Sequence, residues 1–481
     1  MTPASASAAP GLPWWKQLTP YHWFVFFVSS AAWFFDCLDQ RLFSLARVDA
    51  LRSLMDHASP AEIQAFGKKV TAIFLIGWGI GGMIFGALGD RYGRARMLTF
   101  TILIYSFFTG ISFFSHNEWD FAVCRFLTGL GVGGVFGLAV ALIAETVPSG
   151  ARVQCLGLLQ VLSTVGNVSA GFASMGINSL EARGIITMGD GWRWMFLIGA
   201  LPALMILLTC KKLREPEPWL KLKAEGKIPT GSIFTPYKNL LSDARWRKNL
   251  IVGSLIASTG VVGLWAIGEY AVDLQSQLFN NYYTAQAPEP LRAAVAAAAG
   301  NDSALASATA ALNAWVKPQA SHTKNVAFLL NMLGAAAGMW MFTRLAHAAG
   351  RKIAFIVGFS GALVVTAFVY WKMVTPMDAY WMMPLMGAVQ LAPFAGFAIY
   401  LPELFPSRLR STGTSFCYNL GRFAAAGGSF FSGYLSKDVF GHQAGLMPLR
   451  SSAIVMCSIF LIGIIAVLFA PETKDQPLPE D

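Results

Sequence analysis

The sequence predicts an all-α membrane protein in which twelve transmembrane helices form two six-helix bundles around a central cavity. Three observations predict it. Of 481 residues, 55% are hydrophobic and 13% charged, about half the charged share of an average soluble protein, and such a chain has too few charges to cover the outside of soluble domains. Apolar runs of about 20 residues, the length that crosses a hydrocarbon core, recur along the whole chain. Short charged motifs then repeat at an interval of six such runs.

In order, the runs lie near 20–46, 69–88, 97–115, 121–146, 152–177, 193–211, 249–272, 324–345, 353–374, 379–400, 411–436 and 451–470. Gly and Pro occur inside several of them, which membrane helices tolerate because neighbouring helices satisfy the freed backbone groups. With both termini cytoplasmic, 21 of the 36 Lys and Arg fall on the inner side, 12 on the outer side, and Arg41, Arg125 and Arg422 inside the runs. This excess of inner cations favours that orientation in a cell (inner) membrane. Ten of the 21 lie in 211–248, a polar stretch with four prolines, as expected of a linker between bundles. The expected organisation is an N-terminal six-helix bundle at 1–211, a cytoplasmic linker at 212–248 and a C-terminal bundle at 249–481. The last carries an outer insertion at 273–323, read as a solvated element with an Ala-rich stretch at 293–314 that suits one or two surface helices. Residues 1–19 lack the basic-then-apolar pattern of a signal peptide, so the first run reads as a retained anchor.

These features exclude soluble-enzyme, disordered and collagen-like chains. The net charge of +10 is spread over loops, with no basic helix or aromatic-basic stripe, which argues against nucleic-acid binding. Cys37, Cys124, Cys155, Cys210, Cys417 and Cys457 all fall in or at the end of apolar runs and read as small packing residues rather than disulfide partners. No Cys/His cluster, phosphate loop or nucleophile-base set occurs, so no metal, cofactor or enzymatic activity is expected, and the glycines of the fourth run suit close helix packing.

After the second run stands Gly86-Ala87-Leu88-Gly89-Asp90-Arg91-Tyr92-Gly93-Arg94-Ala95-Arg96. After the eighth stands Arg344-Leu345-Ala346-His347-Ala348-Ala349-Gly350-Arg351-Lys352, a degraded copy with His347 in place of the acid. Glu145-Thr146-Val147-Pro148 with Arg152, after the fourth run, is matched by Glu403-Leu404-Phe405-Pro406 with Arg410 after the tenth. Such internal repeats are typical of secondary transporters, whose substrate site lies near midplane between the halves.

On these residues the sequence resembles the major facilitator superfamily over nearly its whole length. Arg125-Phe126-Leu127-Thr128-Gly129-Leu130-Gly131-Val132-Gly133, Gly191-Trp192-Arg193-Trp194-Met195-Phe196, Glu215-Pro216-Glu217-Pro218-Trp219-Leu220 and Pro471-Glu472-Thr473-Lys474, in this order, resemble its sugar-porter and organic-ion branches. Asp90, Arg94, Glu145 and Arg152 stand at inner ends of runs, where carboxylate and guanidinium pair bidentately. Glu403, Arg410 and Arg344 are expected to do the same in the second half. With Gly86, Arg91 and Gly93 they make up a cytoplasmic gate, which the resemblance implies holds the halves together when that side is closed.

An ionisable group inside the membrane is a functional candidate by default. Trp33-Phe34-Phe35-Asp36-Cys37-Leu38-Asp39-Gln40-Arg41 places Asp36 and Asp39 on one helical face, with Arg125 as their natural partner. Desolvation raises a carboxylate pKa and a nearby guanidinium lowers it, so making and breaking such a contact loads and releases a proton. The resemblance to proton-coupled sugar porters gives that role to Asp39 and Arg125, with Asp36 sharing it as one of a titrating pair; a purely structural salt bridge is the alternative. No histidine lies in the interior of a run, His22 being at an interface and the others in loops, so the carrier is expected to be a carboxylate.

Gln160 and Asn167 of the fifth run resemble sugar-porter positions and suit hydroxyl groups. The seventh run, however, lacks the paired glutamines of sugar porters, and Phe394-Ala395-Gly396-Phe397 lacks their tryptophan. Arg422, in Tyr418-Asn419-Leu420-Gly421-Arg422-Phe423, suits an anion as in organic-anion relatives, with Glu269 as an alternative protein partner. Asn419, Gln390, Glu269, Tyr270 and Asn331 complete the candidate cavity groups, each equally well read as helix packing. The expected function is proton-coupled symport of an organic acid anion by alternating access, in a monomer that takes a small-molecule substrate and protons. The alternative is proton-coupled sugar or polyol symport. An efflux antiporter is disfavoured because the fifth run lacks a Pro-Gly motif, and a non-transporting sensor because it leaves the paired motifs and membrane acids unused.

Overall fold

The computed structural model describes residues 13–55, 58–187, 189–201, 212–228, 231–298 and 302–480. Among them every regular element is a helix. The first half contains α1 (Pro20–Leu54), α2 (Pro60–Tyr92), α3 (Arg94–Ile111), α4 (Glu118–Thr146), α5 (Ser149–Ala182) and α6 (Gly191–Gly199). The rest of the sixth run, 202–211 with Cys210, lies outside the described residues. Short helices α7 (Glu217–Ala224) and α8 (Thr235–Ser242) follow in the linker. The second half contains α9 (Ala244–Val262), a π turn (Gly263–Ile267), α10 (Gly268–Gln286), α11 (Glu289–Ala297) and α12 (Asp302–Ala349). It continues with α13 (Arg351–Lys372), α14 (Pro376–Gln390), α15 (Ala392–Tyr400), α16 (Arg410–Tyr434), α17 (Met447–Met456) and α18 (Ile459–Phe469).

The helices begin where local chemistry tells them to. Thr19, Ser59 and Thr375 cap α1, α2 and α14 in reciprocal capping boxes, each followed by a proline in the first turn, and Asn117 and Asp243 cap α4 and α9. A short polar acceptor before a proline satisfies orphan N–H groups and presets the first helical φ.

In the first half α2 packs on α4 and α1 on α5; in the second, α9 packs on α16 and α12 on α14. The halves meet along α2 with α16 and along α5 with α12. The glycines of the fourth run act as expected: a Cβ at Gly133 has no room against the Trp78 carbonyl, nor one at Gly129 against the Phe74 carbonyl. Cys37, Cys124, Cys155, Cys417 and Cys457 are free and buried.

Among the described residues nine helices are long and apolar enough to cross a membrane. Neither α1 nor α16 is one of them, although both run through the middle of the bundle. These are the helices that carry Asp36 and Asp39, and Arg422. The insertion at 273–323 is largely helical and continuous with its neighbours. Helix α12 has 48 residues, about 72 Å of rise, and pairs with α10 through the Tyr283 and Thr323 hydroxyls at 2.7 Å.

Candidate transport site

At the face that carries the linker, Gly93 closes α2 with φ 112°, a conformation favouring glycine. The turn brings Arg94 back beneath α2 and α4, where it pairs with Asp90 at 3.0 Å and Glu145 at 3.1 Å and donates to the Ser407 carbonyl. Glu145 also accepts from Arg410 Nη1 at 2.7 Å and the Ser407 hydroxyl at 2.8 Å. Asp90 accepts the N–H groups of Ser411 and Thr412 at 3.1 and 2.8 Å, and the Thr412 hydroxyl at 2.6 Å. It therefore sits at the N-terminus of α16, where the helix dipole favours an anion. Ser407, Arg410, Ser411 and Thr412 all follow the linker, so these bonds join the halves. Gly86 lies in the same seam, where a Cβ would meet the Ser415 side chain.

A related set lies within the second half. Gly350 has φ 100°, and Arg351 pairs with Glu403 through Nη2–Oε1 at 2.7 Å and Nε–Oε2 at 3.0 Å. Two acids from distant motifs complete the pattern. Glu215 accepts the N–H groups of Ala95 and Arg96 at 3.1 and 3.0 Å, and Glu472 those of Arg351 and Lys352 at 2.9 and 3.1 Å. Burial pushes the Glu472 carboxyl up, but the N–H groups of Arg351, Lys352, Lys474 and Thr473 outweigh it and hold the group below its usual range.

Deeper in the bundle the charges are differently served. Asp39 and Arg125 are fully buried, and their nearest N···O distance is 3.6 Å. Arg125 donates from Nη2 to the Ser112 hydroxyl at 2.8 Å and lies over the Phe196 ring at 4.5 Å. Asp36 is fully buried, and neither of its oxygens accepts a hydrogen bond. Arg422 is buried with its guanidinium carbon 3.1 Å from the Trp78 ring centroid and 5.2 Å from that of Tyr418. Its Nε and Nη1 have no hydrogen-bond acceptor. Around it the halves meet in aromatic contacts: Tyr418 stacks on Phe136 at 3.9 Å and meets Trp33 edge-on at 6.2 Å, and Trp78 meets Trp265 at 6.3 Å.

The chain is similar to known proteins. A family model described as sugar (and other) transporter matches residues 47–265. The cis,cis-muconate transport protein of Acinetobacter baylyi is 25% identical over 84% of this chain and 84% of its own. The benzoate transport protein of the same species is 27% identical over 44% of this chain and 43% of its own. The solved structure of the proton:xylose symporter XylE, described as a major facilitator superfamily protein, matches with a TM-score of 0.67 at 19% identity, covering 95% of this chain and 98% of XylE. The chain has the major facilitator fold, and these likenesses support a transporter of that superfamily.

Of the residues expected to form the gate, Asp90, Arg94, Glu145, Arg410, Gly86 and Gly93 come together in one network. Four expected members, Arg91, Arg152, Arg344 and Glu403, do not. Arg344 lies over Trp340 of its own helix at 5.4 Å, and Arg410 crosses to Glu145, so the pairing of Glu403 with either is corrected to Arg351. The reason is the turn at Gly350, which aims the first residue of α13 inward as Gly93 aims Arg94. Arg91 donates to the Gly231 carbonyl of the linker at 2.5 Å. Arg152 has a buried Nε without an acceptor and lies in the field of Arg410 and Glu403.

Of the candidate cavity groups, Gln160 accepts from the Trp33 indole at 3.1 Å and keeps its amide nitrogen unpaired. Asn419 donates to Ser415 and Gly133 carbonyls at 2.8 and 3.4 Å, leaving its oxygen unpaired. Asn167 folds onto the Ser163 carbonyl of its own helix. Gln390 donates to the Gly263 carbonyl at 2.6 Å, at the start of the π turn, and Asn331 to that of Met383 at 2.9 Å. The side chains of Glu269 and Tyr270 lie outside the described residues. Arg351, Glu215, Glu472 and Trp78 were not singled out from sequence. Arg351 follows Gly350 as Arg94 follows Gly93, a signal sufficient to find it; Trp78 carries no local signal.

Proposed function

We propose that this transporter carries an organic acid anion with protons by alternating access, as a monomer in the cell membrane with its linker face cytoplasmic. The observation that carries the reading is Arg422, a buried guanidinium with two donor nitrogens unaccepted and its carbon 3.1 Å from the Trp78 ring centroid. Guanidinium N–H groups make strong charge-assisted hydrogen bonds to carboxylate, and a buried cation between apolar rings needs a partner. That muconate and benzoate transport proteins are among the relatives favours a carboxylate. Gln160 and the Asn419 oxygen are the polar groups placed to orient the rest of the molecule.

Asp39 and Arg125 form the coupling pair. At 3.6 Å they attract without a close hydrogen bond, a contact that a proton on Asp39 would release. The Glu145–Arg410 ion pair and the Asp90 contacts to α16 close the linker face, and they must part when it opens. A second reading, sugar or polyol symport, is favoured by the free Gln160 amide and by the likeness to XylE. Uptake of labelled benzoate, cis,cis-muconate and xylose into proteoliposomes, with and without an imposed proton gradient, decides between them. Gradient-driven carboxylate uptake is expected; xylose uptake without carboxylate uptake would replace the anion reading with the sugar one.

A further inference from the structure

The coupling pair leaves a second buried carboxylate to be explained. Asp36 lies one turn from Asp39, and the two face different partners. Asp39 has Arg125. Asp36 accepts no hydrogen bond, and an ionised carboxylate held that way is strongly disfavoured. Arg422 is its counterpart in the other half, buried, with Nε and Nη1 unaccepted. The two are within electrostatic reach of each other, yet no hydrogen bond or ion pair joins them. Their helices touch through the residues one turn before each, Trp33 and Tyr418, at 6.2 Å.

A cation and an anion buried together but unpaired differ from the other buried charges of this chain. Glu145 and Arg410, equally buried, meet at 2.7 Å. Direct contact between Asp36 and Arg422 would use up the guanidinium edge that a substrate carboxylate needs. Two carboxylates on one guanidinium repel each other, so one must be neutral.

We propose that Asp36 is the charge switch of the anion site: ionised, it neutralises Arg422 and excludes a substrate carboxylate, and protonated, it yields the guanidinium edge to the substrate. One proton, taken from water on the open side, rests on an Asp36 carboxyl oxygen while the anion is bound. It leaves to water on the other side when the anion departs. This rests on the organic-anion reading and adds a second proton-binding carboxylate, distinct in task from Asp39. By linkage, the proton tightens anion binding by the same factor as the anion tightens proton binding.

The charged and titratable groups facing Asp36 are Asp39 and Cys37 on α1, Tyr105 on α3, and Tyr418 and Arg422 on α16. Among the described residues α2, α5 and α6 present none at this depth, where they carry Trp78, Gln160 and Gly199. The phenols and thiol stay neutral and the guanidinium charged around neutral pH, which leaves the two carboxylates to titrate.

The test is equilibrium binding of labelled benzoate to the full chain in nanodiscs from pH 5.5 to 8, where the probe stays ionised. Wild-type affinity is expected to fall about tenfold per pH unit over the upper part of the range, the slope of one linked proton. Asp36→Asn should bind with the wild-type acid affinity at every pH. Asp36→Glu should restore the slope, and Asp39→Asn should keep it. An unchanged slope in Asp36→Asn, or a slope lost in Asp39→Asn, overturns the switch while leaving the anion reading standing. Absence of binding of both benzoate and cis,cis-muconate by the wild type at every pH overturns the anion reading and the switch with it.

Discussion

At the linker face, Asp90, Arg94, Glu145 and Arg410 are buried, and each has an opposite charge within 3.1 Å. Deeper in the bundle, Asp36 and Arg422 are as fully buried without one, and Asp39 and Arg125 stand at 3.6 Å. The same side-chain types are thus closed upon each other in one region and left open in the other. Removing one partner of a closed buried pair costs about 3–5 kcal/mol because the other charge is stranded, so the linker-face network holds a single arrangement. Open charges hold nothing until something arrives, which is what a site for an anion and protons requires.

The largest expected effect comes from the open region. Arg422→Gln removes the guanidinium, and carboxylate uptake should fall about 100-fold or more, the loss expected for truncating a buried charged hydrogen-bond partner; initial rates in proteoliposomes measure it. Asp39→Asn should abolish accumulation against a gradient while exchange of labelled for unlabelled substrate continues. Retained gradient-driven accumulation would show that the 3.6 Å pair belongs with the closed charges. In the closed region, Glu145→Gln strands Arg410 and leaves Arg94 with Asp90 alone, and the linker-face arrangement should weaken by about 3 kcal/mol. A cysteine placed at Ser415, in the α2–α16 seam, should then react faster with an impermeant thiol reagent.

The smallest effect is at Glu472. Glu472→Gln loses a charged cap of α13 and about 1 kcal/mol of stability. Because the folded carboxyl lies below the ordinary value of 4.5, its contribution is fully present above that value and disappears as pH falls through the folded value. Thermal melts of wild type and variant should converge under acid and separate at neutral pH.

The helical architecture was legible because twelve apolar runs and a six-run repeat survive any uncertainty in boundaries. Even α1 and α16 were visible as runs, although Asp36, Asp39 and Arg422 interrupt them, since aromatic and small residues fill the remaining positions. Asp90, Arg94 and Glu145 were legible because each stands at a run end beside a repeated motif. The choice of Arg344 over Arg351 failed because a linear reading weighs nearness to the run, whereas the φ 100° turn at Gly350 decides which residue points inward. Trp78 under Arg422, and Glu472 on the N–H groups of a helix more than a hundred residues away, are products of tertiary packing with no local pattern to betray them.

Helix α12 has one further consequence. Its 48 residues run from Asp302, in the insertion, past Pro318 to Ala349, beside the turn at Gly350. At about 72 Å it is more than twice as long as a hydrocarbon core is thick. A rod of that length anchored in one bundle behaves as a pointer: a tilt of about 10° moves its free end by roughly 10 Å. Any tilt of α12 during the proposed alternating access would therefore be magnified at Ser303 and Ala306. A distance label there reads the working stroke of the transporter, and a binder that clamps the tip would hold it still.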